Sequence, residues 1–162
     1  MSLMKRLKAT LGDPYAKGDL FEEFVADMFP DEYFSIVHKT MSVDDLKGRG
    51  SESCVNPDYQ FRDRDTKETF WVECKYRSDT LHDGSVQWSE FPQMKRYRDI
   101  RERTRMKIYL VLGIGGRPTN PAELYIMDLD KVRFPRLFRS AYRPFVVLDL
   151  PFRSVEDIKR IV

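Results

Sequence analysis

Asp58, Glu73 and Lys75 are the residue types that metal-assisted phosphodiester hydrolysis calls for. Water must be activated near neutral pH, charge developing on the phosphorus oxygens must be neutralised, and the leaving oxygen must be stabilised. A divalent cation held by carboxylates meets all three needs. Mg2+ and Mn2+ prefer oxygen donors, so aspartate and glutamate suit them. A lysine beside them can stabilise phosphate charge or position the water. Asn56-Pro57-Asp58 is followed by fourteen residues and then by Glu73-Cys74-Lys75.

The surrounding elements decide whether these groups can meet. Thr69–Tyr76 is an apolar, β-branched run and reads as a strand; Asp58–Arg62, with alternating Tyr59 and Phe61, reads as another. The charged stretch Asp63–Lys67 joins them as a hairpin turn, which brings Asp58 beside Glu73. Side chains alternate along a strand, so Glu73 and Lys75 share one face and Cys74 points to the other.

A helix is predicted from about Lys17 to Phe29, with Leu20, Phe21, Phe24, Val25, Met28 and Phe29 at helical spacing. Asp13-Pro14 or Gly18-Asp19 starts it and Pro30 ends it. Its apolar face centres near Phe21 and Met28. At about 100° per residue, Glu22 lies roughly 110° from that centre and Glu23 roughly 150°, so Glu22 is better placed to reach inward.

Tyr33–His38 reads as a strand, Met41–Ser53 and Ser78–Gly84 as loops, and Ser89–Arg103 as a second helix with Pro92 in its first turn. Lys107–Ile114 reads as a buried strand broken by Gly115, Gly116 and Pro118. Leu124–Met127 and Phe145–Leu150 are further strands, and Ser154 caps a short last helix.

The "PD", spacer, "ECK" text in an apolar strand resembles the PD-(D/E)xK nuclease superfamily, which includes restriction endonucleases, archaeal Holliday-junction resolvases and RecB-type nucleases. That resemblance covers about Lys17 to Ile114. It implies an α/β fold: a restriction-endonuclease-like mixed sheet in the order αβββαβ, flanked by helices, here followed by a C-terminal extension. It implies Mg2+ or Mn2+ bound by Asp58, Glu73 and the carbonyl of Cys74, with Lys75 acting on the water or the phosphate. The superfamily often adds an acid from the first helix in a "G…FE" context, which matches Gly18 to Glu22. Gln93 and Tyr97, four apart on one helix face, are similar to a Gln-x-x-x-Tyr motif of the RecB-type branch that borders the active site.

The chain has 162 residues, 41% hydrophobic and 33% charged, with a net charge of +2. That length supports one domain over 1–162, with a core of about 17–128 and an extension over 129–162. Met4 reads as an alternative start, with Met1–Leu3 as added residues. No apolar run is long enough to span a membrane and no secretory signal is visible, so the expected location is the cytoplasm. Cys54, Cys74, His38 and His82 lack zinc-finger spacing.

The charge distribution matters more than the net value. Seven basic residues fall between Ser85 and Lys107, and five without an acid between Lys131 and Leu148. Lys95, Arg96, Arg98 and Arg101 on the second helix, with Arg133, Arg136 and Arg139, are expected to contact phosphates. The expected partner is nucleic acid, DNA before RNA, and a homodimer is consistent with one domain that has no obvious recognition element. The alternative is a non-catalytic nucleic-acid-binding or assembly module that keeps this fold.

Overall fold

A computed structural model describes residues 3–41 and 55–162. It opens with α1 (Leu3–Thr10), a helix absent from the sequence expectation; none of its residues is buried. α2 (Pro14–Asp27) follows, and of the two candidate starts Asp13 is the one used. Its carboxylate accepts from the N–H of Tyr15 at 2.9 Å and of Ala16 at 3.4 Å, with Pro14 in the first turn. Ala16, Leu20, Phe21 and Val25 form the buried face of α2.

The main sheet of the described residues has the order β1-β2-β3-β5-β6. β1 (Phe34–Lys39), β2 (Tyr59–Asp63) and β3 (Thr69–Arg77) form an antiparallel meander in which Tyr59 lies opposite Val72. The chain crosses through β4 (Val86–Gln87) and α3 (Phe91–Thr104) to β5 (Ile108–Arg117), which lies parallel to β3. β6 (Asn120–Asp128) returns antiparallel to β5. The mixed α/β architecture is the one expected. Both faces are covered: α2 packs on Phe70, Val72, Cys74 and Val111, and α3 packs on Trp71, Leu110 and Leu112. Residues 108–114 of β5 are therefore buried on both sides, as an unbroken apolar run demands.

Three expectations are corrected and one element is added. Gly115 and Gly116 do not end β5; with φ of +69° and +62° they carry it to Arg117, and the turn falls at Pro118-Thr119. Phe145–Leu150 is not a strand. Arg143–Phe145 is a 3-10 turn, Val146 makes one bridge to Tyr125, and the chain then leaves the sheet so that Phe152 N–H donates to Met28 O. Val86–Gln87 pairs with β7 (Arg136–Leu137), a small second sheet that its short length hid. Ser154 sits at the start of the C-terminal helix (Val155–Lys159) but makes no side-chain cap. The loop expected over 41–53 lies, beyond Met41, outside the described residues, as does Cys54; Cys74 is a free thiol.

Asp63 does the capping that Ser154 does not. It is 1% exposed, and its carboxylate accepts from the N–H of Asp65 and Thr66 in its own turn and of Val155 at 2.7 Å. Burial opposes its charge, but these N–H donors together hold its pKa below the ordinary aspartate value. The charged hairpin turn thus anchors the C-terminal helix, and Phe152, Val155 and Ile158 complete the α2-side core. Asp63→Ala strands a buried N–H on Val155 and is expected to lower stability by about 2–3 kcal/mol in urea denaturation. Asp63→Asn, which keeps one acceptor, should lose less. Equal stability of parent and Asp63→Ala would show that the helix docks without this anchor.

Candidate active site

The end of β2 and the middle of β3 build the site. Trp71 N–H donates to Lys107 O on the β5 side, so by alternation Val72 and Cys74 turn their backbone toward β2. β2 pairing stops at Tyr59, and in its place the carboxylate of Asp58 accepts from Cys74 N–H at 2.7 Å. N–H and C=O of one strand residue face the same side, so the Cys74 carbonyl also faces Asp58. Thr40 fixes Asp58 from behind: its N–H donates to Asp58 O at 2.8 Å and its hydroxyl to Pro57 O at 2.6 Å.

Glu73 is 2% exposed and lies on the α3 face. One of its oxygens pairs with Lys75 Nζ at 2.9 Å, and the other accepts from the Tyr97 hydroxyl at 2.8 Å. Gln93 donates to the Tyr97 hydroxyl at 3.1 Å and accepts from Ser89 at 2.6 Å. Ser89, Gln93, Tyr97 and Glu73 thus form one hydrogen-bonded chain with a single direction of donation, each donor aimed toward the carboxylate. Tyr97 also packs in the α3-side core, which fixes the position of its hydroxyl.

Glu22 on α2 reaches the same cleft, while its neighbour Glu23 turns toward Lys5 of α1 at 3.9 Å. Crowding three acids has an electrostatic consequence. Burial, then the charges of Asp19 and Glu73, push the Glu22 carboxyl up to about 7. Asp58 is also held well above its ordinary value, by burial and by repulsion from Glu73 and Glu22; the Cys74 N–H and Lys75 offset this only in part. Lys75 moves the other way. Burial disfavours its charge, but Glu73 and Asp58 outweigh that and raise its pKa, so it is a firm cation at neutral pH.

These groups line an open cleft of about 660 Å³. Oxygen donors from Asp58, Glu73, Glu22 and the Cys74 carbonyl are the set a hard divalent cation prefers. The excess negative charge, borne at the cost of two raised carboxyl pKa values, is what such a cation would relieve. Among the described residues the side chains as they stand do not form a closed three-ligand cage. Both Glu73 oxygens are held by Lys75 and Tyr97.

The basic residues divide. Lys95, Arg101, Arg136 and Arg139 pair with Asp99, Asp130, Asp83 and Glu123. Arg98 donates to the Arg133 carbonyl at 3.3 Å, and both residues are exposed. Arg96 is the one placed beside the site, lining a shallow pocket shared with Lys75 and Gln93. Sequence reasoning missed Arg77, two residues beyond Lys75 on the same face. Its guanidinium donates to the carbonyls of Gln87 at 2.8 Å and Tyr76 at 2.9 Å and borders both the cleft and that pocket. The i, i+2 spacing was its signal. Thr40, which clamps Asp58, carried none.

No family model matches the chain, and no curated protein matches it in sequence. In structure it is similar to Hjc, a Holliday junction resolvase from the archaeal hyperthermophile Archaeoglobus fulgidus. The TM-score is 0.55 at 13% identity, over 78% of this chain and 92% of that one. The restriction-endonuclease-like fold expected from the motif is thereby found. No helix among the described residues is long and apolar enough to cross a membrane.

Proposed function

We propose that the chain is a divalent-metal-dependent nuclease that hydrolyses phosphodiester bonds of DNA. The observation that carries this reading is the meeting of Asp58, Glu73 and Lys75 at the end of β2, with Glu22 brought in from α2. The likeness to a Holliday junction resolvase supports DNA as the substrate.

Asp58, Glu73 and the Cys74 carbonyl would hold Mg2+ or Mn2+, which when bound supplies Lewis-acid stabilisation and a more acidic water. Lys75, cationic at neutral pH, faces the phosphate and offsets the charge that develops on it. Glu22 completes the acidic wall opposite. Tyr97, held by Gln93, fixes the carboxylate plane of Glu73. Arg96, beside Lys75 and Gln93, contacts a phosphate away from the cut.

The test is cleavage of linear, circular, branched and single-stranded DNA with Mg2+ or Mn2+, comparing the parent with Lys75→Ala. The parent should cleave at least one form, and Lys75→Ala should be slower by roughly a hundredfold or more. Cleavage of none, or equal cleavage by the variant, sinks the reading. The non-catalytic module is then what remains.

A further inference from the structure

Lys17 and Tyr76 stand at one border of the cleft. A groove of about 840 Å³ between α1 and the β5–β6 turn adjoins it, sharing Lys17, Tyr76 and Ser78 with the cleft. Arg6, Lys17 and Arg117 line this groove together with the hydroxyl residues Thr10 and Thr119 and one acid, Asp27.

The three cations differ from the ion-paired ones on the surface. Cations such as Arg64, Arg101, Lys107, Arg136 and Lys159 are engaged by carboxylates of the chain. Arg6, Lys17 and Arg117 have no carboxylate partner among the described residues; Lys17 Nζ donates to Ser78 Oγ at 3.0 Å. Arg6 and Arg117 are exposed.

Arg117 also has a stiff mount. Gly115 and Gly116 adopt positive φ, and a Cβ on Gly116 would lie 2.7 Å from the Asn120 carbonyl, so the hairpin end closes tightly. The Tyr76 hydroxyl braces it, sharing its one proton between the carbonyls of Gly115 and Gly116 at 3.2 and 3.1 Å. A rigid backbone mount leaves only the side-chain rotamers of Arg117 to be ordered when it grips an anion.

The charge layout along the trough is basic, acidic, basic. Arg77 and Arg96 line the pocket that adjoins the cleft at Lys75 and Gln93, the carboxylates line the cleft, and Lys17, Arg117 and Arg6 line the groove that adjoins it at Tyr76 and Ser78. A polyanion lying along it is attracted at both ends and meets the acids only where a cation can neutralise them. We infer that Arg117 and Arg6, with Lys17 at the junction, bind backbone phosphates of the DNA strand as it runs on from the carboxylates into the α1 groove. This rests on the nuclease reading for what lies in the cleft.

The experiment measures binding of the full chain to a fluorescently labelled duplex DNA in EDTA across a salt series, alongside cleavage by the parent. The variants are Arg117→Ala, Arg6→Ala, Arg117→Lys, and Arg153→Ala as an equal loss of charge on an exposed residue elsewhere. Arg117→Ala and Arg6→Ala should each weaken binding on the order of threefold to tenfold and flatten the log–log salt slope by about one. Arg117→Lys should recover most of the slope, and Arg153→Ala should match the parent. Parental binding by both alanine variants, or an equal loss with Arg153→Ala, overturns the groove assignment, as does absence of DNA binding by the parent. The expected binding pattern with a parent that cleaves nothing leaves the groove standing and removes the nuclease reading instead.

Discussion

Asp58→Asn should abolish metal-dependent cleavage by about a thousandfold, equivalent to ~4 kcal/mol of transition-state stabilisation, and should at the same time make the metal-free protein more stable. The two effects have one origin. Asp58 sits beside Glu73 and Glu22 with its charge disfavoured by burial and by both neighbours. Asparagine keeps an oxygen to accept the Cys74 N–H, so the junction of β2 and β3 survives, but it removes the crowded anion. Relief of that crowding at mildly alkaline pH should raise stability by about 1–2 kcal/mol, roughly 2–8 °C in melting temperature for a chain of this size. The Mn2+-induced rise in melting temperature expected of the parent should vanish. A variant that loses cleavage but melts below the parent without metal would show that Asp58 is a structural carboxylate whose loss simply damages the fold.

How much of this was readable beforehand follows from where the signals are local. Glu73 and Lys75 share a strand, and period-two alternation fixes their face without any tertiary knowledge. Asp58 needed one hairpin, whose short turn made the pairing inferable. Glu22 over Glu23 followed from helical angle, and the structure turns Glu23 toward Lys5 as that angle requires. Gln93 and Tyr97 followed from i, i+4 spacing, although their link to Glu73 depends on how α3 packs across β3 and β5.

What was not readable depends on contacts distant in sequence. Thr40 holds Pro57 and Asp58 through a clamp no spacing announces. Asp63 looked like one more charge in a polar turn, and only its meeting with Val155, ninety-two positions away, gives it a buried role. The glycines after Ile114 were misread because glycine signals either a break or a positive-φ continuation, and the choice is made by β6 alongside. Charge runs were the least informative. Arg101, Arg136 and Arg139 look alike in sequence to Arg117, yet they are paired with acids that only the fold brings near.

Divalent metal should stabilise the protein more at about pH 8 than at about pH 6, and the metal-free protein should itself lose stability as pH rises across this range. Glu22 carries a folded-state pKa of about 7 against an ordinary 4.5. A group raised in this way contributes stability that is complete below its unfolded value and is lost as pH rises through its folded value. From Glu22 alone the loss is at most about 3 kcal/mol, and Asp58, raised in the same direction, adds to it. A cation binds the deprotonated carboxylates, so at lower pH it must first displace protons, while at higher pH it neutralises charges already repelling one another. At a hundredfold excess over its dissociation constant it stabilises by about 2.7 kcal/mol, roughly 5–10 °C. Asp63 acts in a separate window: its pKa is depressed, so its contribution is lost only as pH falls below the ordinary aspartate value. Thermal melts of parent and Glu22→Gln at several pH values, with Mn2+ and with EDTA, check this. Glu22→Gln should flatten the metal-free slope between about pH 5 and pH 8, whereas a slope identical to the parent's would place the Glu22 carboxyl outside the acidic cluster in solution.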